Sequence, residues 1–327
     1  KTPKPGATSI DCSKSIAGTG GFNPDLKPEK SKSMSFGILF SPTNYLDLGL
    51  DFYQIRKTDE VVLGSTFFAL RNEATVPGNI IRDTNPDNFL KDAAGNPIPG
   101  TGPLLMVKNP WENQGKVEVK GVDIDVAFRK NLGDWGQFSS KMTSSYLDSY
   151  TLQAHEGDAE RNLAGFNPGL VDWNISNATE LPRWKTTLSA SLARGVHAFN
   201  ASINYVGKVS LMRLYDNHET YSQSFCHYGT PKPGDSRTDR SSAAPLYEAF
   251  FPECAINSWT RLNVGYTYTG FKNLSLNINI QNVLDTKAPY DPGFGATVGS
   301  GAPLSGYNEG LHNPYGRYFQ LTAKYTF

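Results

Sequence analysis

Short and long connections alternate strictly along this chain, and they join segments whose hydrophobicity repeats every second residue. Met34, Phe36, Ile38 and Phe40 alternate with Ser33, Ser35, Gly37 and Leu39, and Ser41–Tyr45 forms a turn into Leu46, Leu48, Leu50 and Phe52. Val122, Ile124, Val126 and Phe128 follow, then the turn Lys130–Gly136, then Phe138, Met142 and Tyr146. Trp184, Leu188 and Leu192 run through Arg194-Gly195 into Phe199, Ala201, Ile203 and Tyr205. Leu262, Val264, Tyr266 and Tyr268 run through Gly270–Asn273 into Leu274, Leu276, Ile278 and Ile280. Phe319, Leu321, Ala323, Tyr325 and Phe327 close the chain. Period 2 is the mark of a strand with one apolar and one wet face. Between these pairs lie long segments without a period, at about 57–113, 154–180, 208–258 and 286–314.

That sorting of connections by length excludes most all-β architectures. A sandwich or soluble barrel alternates its faces too, but its loops are not sorted onto one end. A transmembrane antiparallel β-barrel sorts them, with short periplasmic turns and long extracellular loops. The wet face carries Lys141, Lys185, Asn277, Asn279 and Gln281, which suit a watered or plugged lumen rather than a packed interior. Phe40, Tyr45, Phe128, Phe138, Trp184, Tyr268 and Phe271 gather near strand ends, as an interfacial girdle requires. The spacing therefore predicts an all-β fold of nine membrane-crossing strands, with a soluble all-β protein as the alternative.

No run reaches the roughly 18 apolar residues of a membrane helix, which excludes helical membrane proteins only. Lys and Arg balance Asp and Glu at 31 each, so no basic stripe supports nucleic-acid binding. The chain opens on Lys1 with no signal peptide, and reads as mature and processed or as a piece of something longer. Nine antiparallel strands start at one end of a barrel and finish at the other. Single-chain bacterial barrels have even strand numbers, so further strands are expected in the native molecule.

Three motifs resemble the TonB-dependent outer-membrane receptor family. Asn23-Pro-Asp-Leu-Lys-Pro-Glu29, directly before a strand, resembles the family's N-P-D-L-K-P-E segment. Gln281-Asn-Val-Leu-Asp285 resembles its N-[VL]-[FL]-D element, and Gly316–Phe327 its closing strand. The resemblance implies about the last nine strands of a 22-stranded barrel in the bacterial outer membrane, with residues 1–28 as an extracellular loop segment and 29–327 as barrel. It implies a transport receptor, not an enzyme, that takes up a scarce ligand using the inner-membrane TonB complex. The plug and TonB box through which that complex acts lie outside this sequence. A ferric siderophore is favoured, with an oligosaccharide or other nutrient, a passive porin or a structural surface barrel as alternatives. The closing-strand residues Phe319, Tyr325 and Phe327 are the expected signal for the barrel-assembly machinery, and outer-membrane lipid is the expected surround.

The loops hold the candidate ligand contacts. Arg213, Tyr215, His218, Tyr221, His227 and Tyr228 are the densest aromatic and basic group, and Trp111, Tyr307, His312 and Tyr315 could join them. Such residues stack on sugars or catecholates and pair with anionic groups, although tyrosine-rich loops also pack on themselves. Cys226 and Cys254 flank a Pro/Gly/Ser/Asp-rich segment, and a bridge there would close about 28 residues and constrain the unfolded chain by roughly 3–4 kcal/mol. Free thiols are the alternative, and Cys12 is left over. Asp83–Asn88 is similar to the start of a Ca²⁺ loop, but Asn88 stands at the glycine position and Ala94 at the bidentate glutamate. His218, Cys226 and His227 fit no zinc spacing. No metal site and no cofactor are expected.

Overall fold

The computed structural model describes residues 17–327 apart from 65–68, 71–72, 75–77, 114, 154–159, 167–179, 211–212, 215–219, 222–254, 291–306 and 308–309. Nine strands follow one another in sequence order through one antiparallel sheet, and a tenth, Arg161–Asn162, pairs off that path with Gln137–Gln153. The nine are β1 (Lys30–Thr43), β2 (Leu46–Thr58), β3 (Lys116–Asn131), β4 (Gln137–Gln153), β5 (Trp184–Arg194), β6 (His197–Val206), β7 (Trp259–Phe271), β8 (Leu274–Gln281) and β9 (Tyr318–Tyr325). β9 pairs with β8 on one edge and β1 stands at the other, so the barrel is partial and not closed. Among the described residues no helix is long and apolar enough to cross a membrane, which says nothing of a β-barrel.

The register shows why the sheet has two faces. One row across it reads Phe138, Leu192, Phe199, Tyr266, Ile278 and Leu321. The row one residue along reads Ser139, Ser191, Asn200, Gly265, Asn279 and Gln320. A one-residue slip on any strand would exchange these faces, so the lipid outside fixes the register. Among the apolar residues Phe199 is 53%, Leu321 71% and Phe319 69% exposed, an exposure that hydrocarbon covers. On that face the Ser144 and Thr186 hydroxyls bond each other at 2.6 Å, so neither is left unpaired in lipid.

The short-turn end carries the aromatic girdle. Tyr45 and Phe128 pack edge-on at 5.5 Å, Phe128 and Phe138 lie 5.9 Å apart, Phe199 and Tyr266 4.9 Å, and Tyr268 and Phe271 5.1 Å. Lys130 Nζ sits 4.7 Å over the Tyr45 ring, where a snorkelling cation meets the interface. The tight β5–β6 and β7–β8 turns need left-handed backbone, which Gly195 (φ 58°) and Asn273 (φ 58°) provide.

Several strands outrun their apolar pattern. The sequence places β3 at Val122–Phe128 and β4 at Phe138–Tyr146, whereas the ladder extends to Lys116 and Gln153. Outside the bilayer the outward face turns polar while the backbone goes on pairing. There Val117, Leu152 and Leu163 form a buried cluster flanked by Val119, Tyr150, Phe166 and Leu181.

The chain divides into two compact units, one of residues 1–30, 57–116 and 154–156 and the other of 31–56, 117–153 and 157–327. In the first, the expectation of irregular structure is corrected. Leu104–Asn113 is a strand that pairs in parallel with Ala17–Gly21 and antiparallel with Ile80–Arg82 and Val61–Leu63. Its Leu104-Leu-Met-Val107 run is apolar at consecutive positions, so it carries no period 2 although Leu105 is 49% exposed. Its Val107 is 1% exposed.

Candidate functional site

The polar face of the sheet carries many neutral hydrogen-bonding groups among a few charged ones. Ser139 and Ser191 hydroxyls lie 2.8 Å apart, Asn263 Nδ2 donates to Ser202 Oγ at 3.1 Å, and Asn277 Nδ2 donates to Thr267 Oγ1 at 2.7 Å. Thr187 Oγ1 donates to Asn204 Oδ1 at 3.3 Å. Lys141 Nζ and Asp125 lie 3.9 Å apart, both more than two-fifths exposed, so that pair is screened by water. A face of serine, threonine and asparagine binds water and hydroxylated or amide surfaces, and it could not pack as an apolar core.

The Gln281–Asp285 element joins this face to the closing strand. Asn282 is 1% exposed and adopts φ 51°. Its Oδ1 accepts from Thr286 N–H at 3.0 Å and its Nδ2 donates to Thr286 C=O at 2.9 Å. Its own N–H donates to Asn263 Oδ1 at 3.0 Å. Asp285 also has φ 51°, and its Oδ1 accepts the Arg317 N–H at 2.8 Å, one residue before β9. Asn and Asp recur here because short polar side chains tolerate left-handed backbone and bond nearby amides. The Arg317 amide first, then Lys287 at 3.2 Å, hold the Asp285 carboxyl below its usual pKa of 3.8. A depressed carboxylate stabilises the fold above its unfolded pKa and ceases to do so as pH falls through its folded one. Between neutral pH and pH 3 the wild type is therefore expected to lose more thermal stability than Asp285→Asn, a difference that melting curves in detergent measure.

In the other unit the Asn23–Glu29 motif orders the backbone. Asn23 Oδ1 accepts from Asp25 N–H at 2.9 Å while its Nδ2 donates to Trp111 C=O at 2.8 Å. Glu29 Oε1 accepts from Val61 N–H at 2.8 Å. Asn113 carries the opposite side: Oδ1 accepts from Lys27 N–H at 2.8 Å, and Nδ2 donates to the Lys27 and Asp59 carbonyls at 2.8 and 2.7 Å. These bonds spend the motif's polar side chains on the backbone around it. Arg82 grips Glu73 through two bonds, at 2.7 and 2.8 Å, and donates to Gly102 C=O at 3.1 Å. Asp83 spends both oxygens internally, on the Asn85 amide at 2.9 Å and Asn88 Nδ2 at 2.6 Å. The Asn85 amide above all holds its pKa low. No group of three or more potential metal ligands occurs among the described residues.

The candidate ligand residues fall in several places. Trp111 is 46% exposed on its strand, and Tyr315 is 62% exposed. Tyr307 meets Tyr290 edge-on at 6.2 Å. His312 is 1% exposed and edge-on to Trp259 at 5.7 Å. The Arg213 and Tyr221 backbones pair with each other. Tyr215, His218, His227, Tyr228 and all three cysteines, Cys12, Cys226 and Cys254, lie outside the described residues. Phe319 (69% exposed) sits on β9, and Tyr325 meets Phe327 edge-on at 5.1 Å.

Sequence reasoning missed a hollow at the long-loop end. Phe166, Arg183, Trp184, Tyr205, Lys208 and Ser210 line it. The Arg183 guanidinium donates to the Leu147 and Asp148 carbonyls at 3.3 and 2.5 Å, which fixes it at the rim. The adjacent Arg183-Trp184 pair at the start of a strand is the one local signal that could have marked it.

The family model described as TonB dependent receptor-like, beta-barrel matches residues 6–283. No curated protein matches the chain at a significant level. Among solved structures, the siderophore receptor PirA from Acinetobacter baumannii aligns with a TM-score of 0.50 and 15% identity, over 93% of this chain and 32% of that receptor. The ferric enterobactin receptor PfeA from Pseudomonas aeruginosa aligns with a TM-score of 0.49 and 15% identity, over 92% of this chain and 32% of its own. The copper transporter OprC gives 0.47 and 11%, over 94% and 34%. This chain spans about a third of the length of the proteins it matches, and at such identities the likeness is one of fold alone. By the match over most of its length, the chain belongs to the TonB-dependent receptor-like β-barrel family of the bacterial outer membrane.

Proposed function

We propose that this chain is the carboxy-terminal barrel portion, residues 29–327, of a receptor that captures a scarce extracellular ligand and imports it with energy from the inner-membrane TonB complex. Residues 1–28 are then an extracellular loop segment. The observation that carries this reading is the continuous polar row from Ser139 to Gln320 behind a lipid-facing apolar row. A wall of that kind borders a watered passage and offers neutral groups to an occupant of the lumen.

The ligand class rests on the residue types of the long loops. Arginine among tyrosines and histidines, as at Arg213, Tyr215, His218, Tyr221, His227 and Tyr228, is the chemistry that holds an anionic aromatic chelate, and it favours a ferric siderophore over a neutral oligosaccharide. Arg213, Tyr215, His218, Tyr221, His227, Tyr228, Trp111, Tyr307, His312 and Tyr315 are the proposed contacts. Phe327 with Phe319 and Tyr325 would present the assembly signal.

The test is uptake of radiolabelled iron from a siderophore panel by cells carrying the full receptor. Saturable uptake of at least one ferric siderophore, abolished when TonB is deleted, is the expected result. Uptake that continues without TonB would identify a passive porin instead. TonB-dependent growth on a glycan alone would move the ligand to carbohydrate.

A further inference from the structure

On the lipid-facing side of β1–β3, apolar residues give way to basic ones towards the long-loop end. β1 reads Phe40, Ile38, Phe36, Met34 and then Lys32; β2 reads Leu50 and Phe52, then Gln54 and Arg56; β3 reads Ile124 and Val122, then Lys120 and Glu118. Met34, Phe36 and Phe52 are 70%, 65% and 45% exposed, and together with Gln54, Lys120 and Val122 they line one hollow. Glu118 is already engaged, accepting from Gln54 Nε2 at 2.8 Å and pairing with Lys120 Nζ at 2.6 Å. Asp148 also lines the hollow, so Lys32, Arg56 and Lys120 stand against two carboxylates.

The geometry points to a binding site for a phosphorylated, acylated glycolipid of the outer leaflet on the outward face of β1–β3. Acyl chains lie along Met34, Phe36, Phe52 and Val122, and a sugar phosphate meets Lys32, Arg56 and Lys120 at the border. Cations beside anionic headgroups and a hydrocarbon-facing apolar strip are the two requirements of such a ligand. The outer leaflet follows from orientation, because the short turns mark the periplasmic end and these basic residues lie at the other. The site needs the outer-membrane location only and is independent of what the receptor transports.

Full-length receptor purified in mild detergent is titrated with diphosphoryl lipid A, its dephosphorylated form, or phosphatidylglycerol, and the thermal unfolding midpoint is followed. Diphosphoryl lipid A is expected to raise the midpoint saturably. K32A/R56A/K120A should weaken its apparent affinity on the order of a hundredfold, at about a kcal/mol per cation. An equal response to the dephosphorylated form overturns the phosphate contact. An equal response to phosphatidylglycerol overturns the glycolipid. Should the triple variant fail to fold, the comparison of the three lipids on wild-type receptor decides the matter alone.

Discussion

Asn282→Ala is expected to lower the unfolding free energy of the receptor by about 2–3 kcal/mol, because two partly buried backbone groups of Thr286 lose their partners and alanine strains the left-handed backbone. The asparagine is 1% exposed at φ 51°, bonded to both the amide and the carbonyl of Thr286 at 3.0 and 2.9 Å. Two further variants separate the causes. Asn282→Asp keeps the acceptor and tolerates the backbone but loses the donor, so its loss should be roughly half as large. Asn282→Gly relieves the backbone and loses both bonds, so it should fall between the two. Urea unfolding of detergent-refolded protein, read by heat-modifiable gel mobility, gives the order. A glycine variant as stable as the wild type would show that the side-chain bonds carry nothing.

Gly121→Ala is the second large effect, expected to destabilise by about 1–3 kcal/mol through overpacking. Gly121 is buried in β3. A methyl there would sit 2.7 Å from the Tyr146 carbonyl oxygen and would run into the Tyr53 phenol. The phenol can swing aside, but the carbonyl belongs to the neighbouring ladder and cannot. Tyr53→Ala in the Gly121→Ala background should therefore recover only part of the loss, and a double-mutant cycle measures that fraction. Full recovery would mean that the ring alone excludes the side chain.

Much of the barrel was legible because a two-sided solvent writes itself into every strand. Leu192 and Ser191 differ by one position and by the whole face they serve, and that contrast repeats from Phe138 to Leu321. The turn residues were equally plain, since Gly195 and Asn273 are types that left-handed backbone favours. The strands changed their signal where they left the bilayer. Lys116–Lys120 still alternates, but Val117 and Val119 stand on the face opposite to Val122, Ile124, Val126 and Phe128, so the phase reverses and the outward pattern ends.

Leu104–Asn113 was unreadable for a related reason. Its Leu104–Val107 run is apolar at consecutive positions, and its partners Ala17–Gly21 and Ile80–Arg82 lie far away in the chain, so neither a period nor a hairpin turn marks it. The hollow at the long-loop end is assembled in the same way, from Phe166, Arg183, Tyr205 and Ser210.

By itself the sequence determined the strand order, the two faces, the sorted loops and the family, since each depends on local alternation or a contiguous motif. Only the tertiary structure decided why the motifs exist. It shows Asn282 and Asp285 tying the end of β8 to the start of β9, and Glu29 and Asn113 pinning the chain around Asp59 and Val61. Hydrogen bonds between distant residues have no sequence period, so their partners become visible only when the chain is folded.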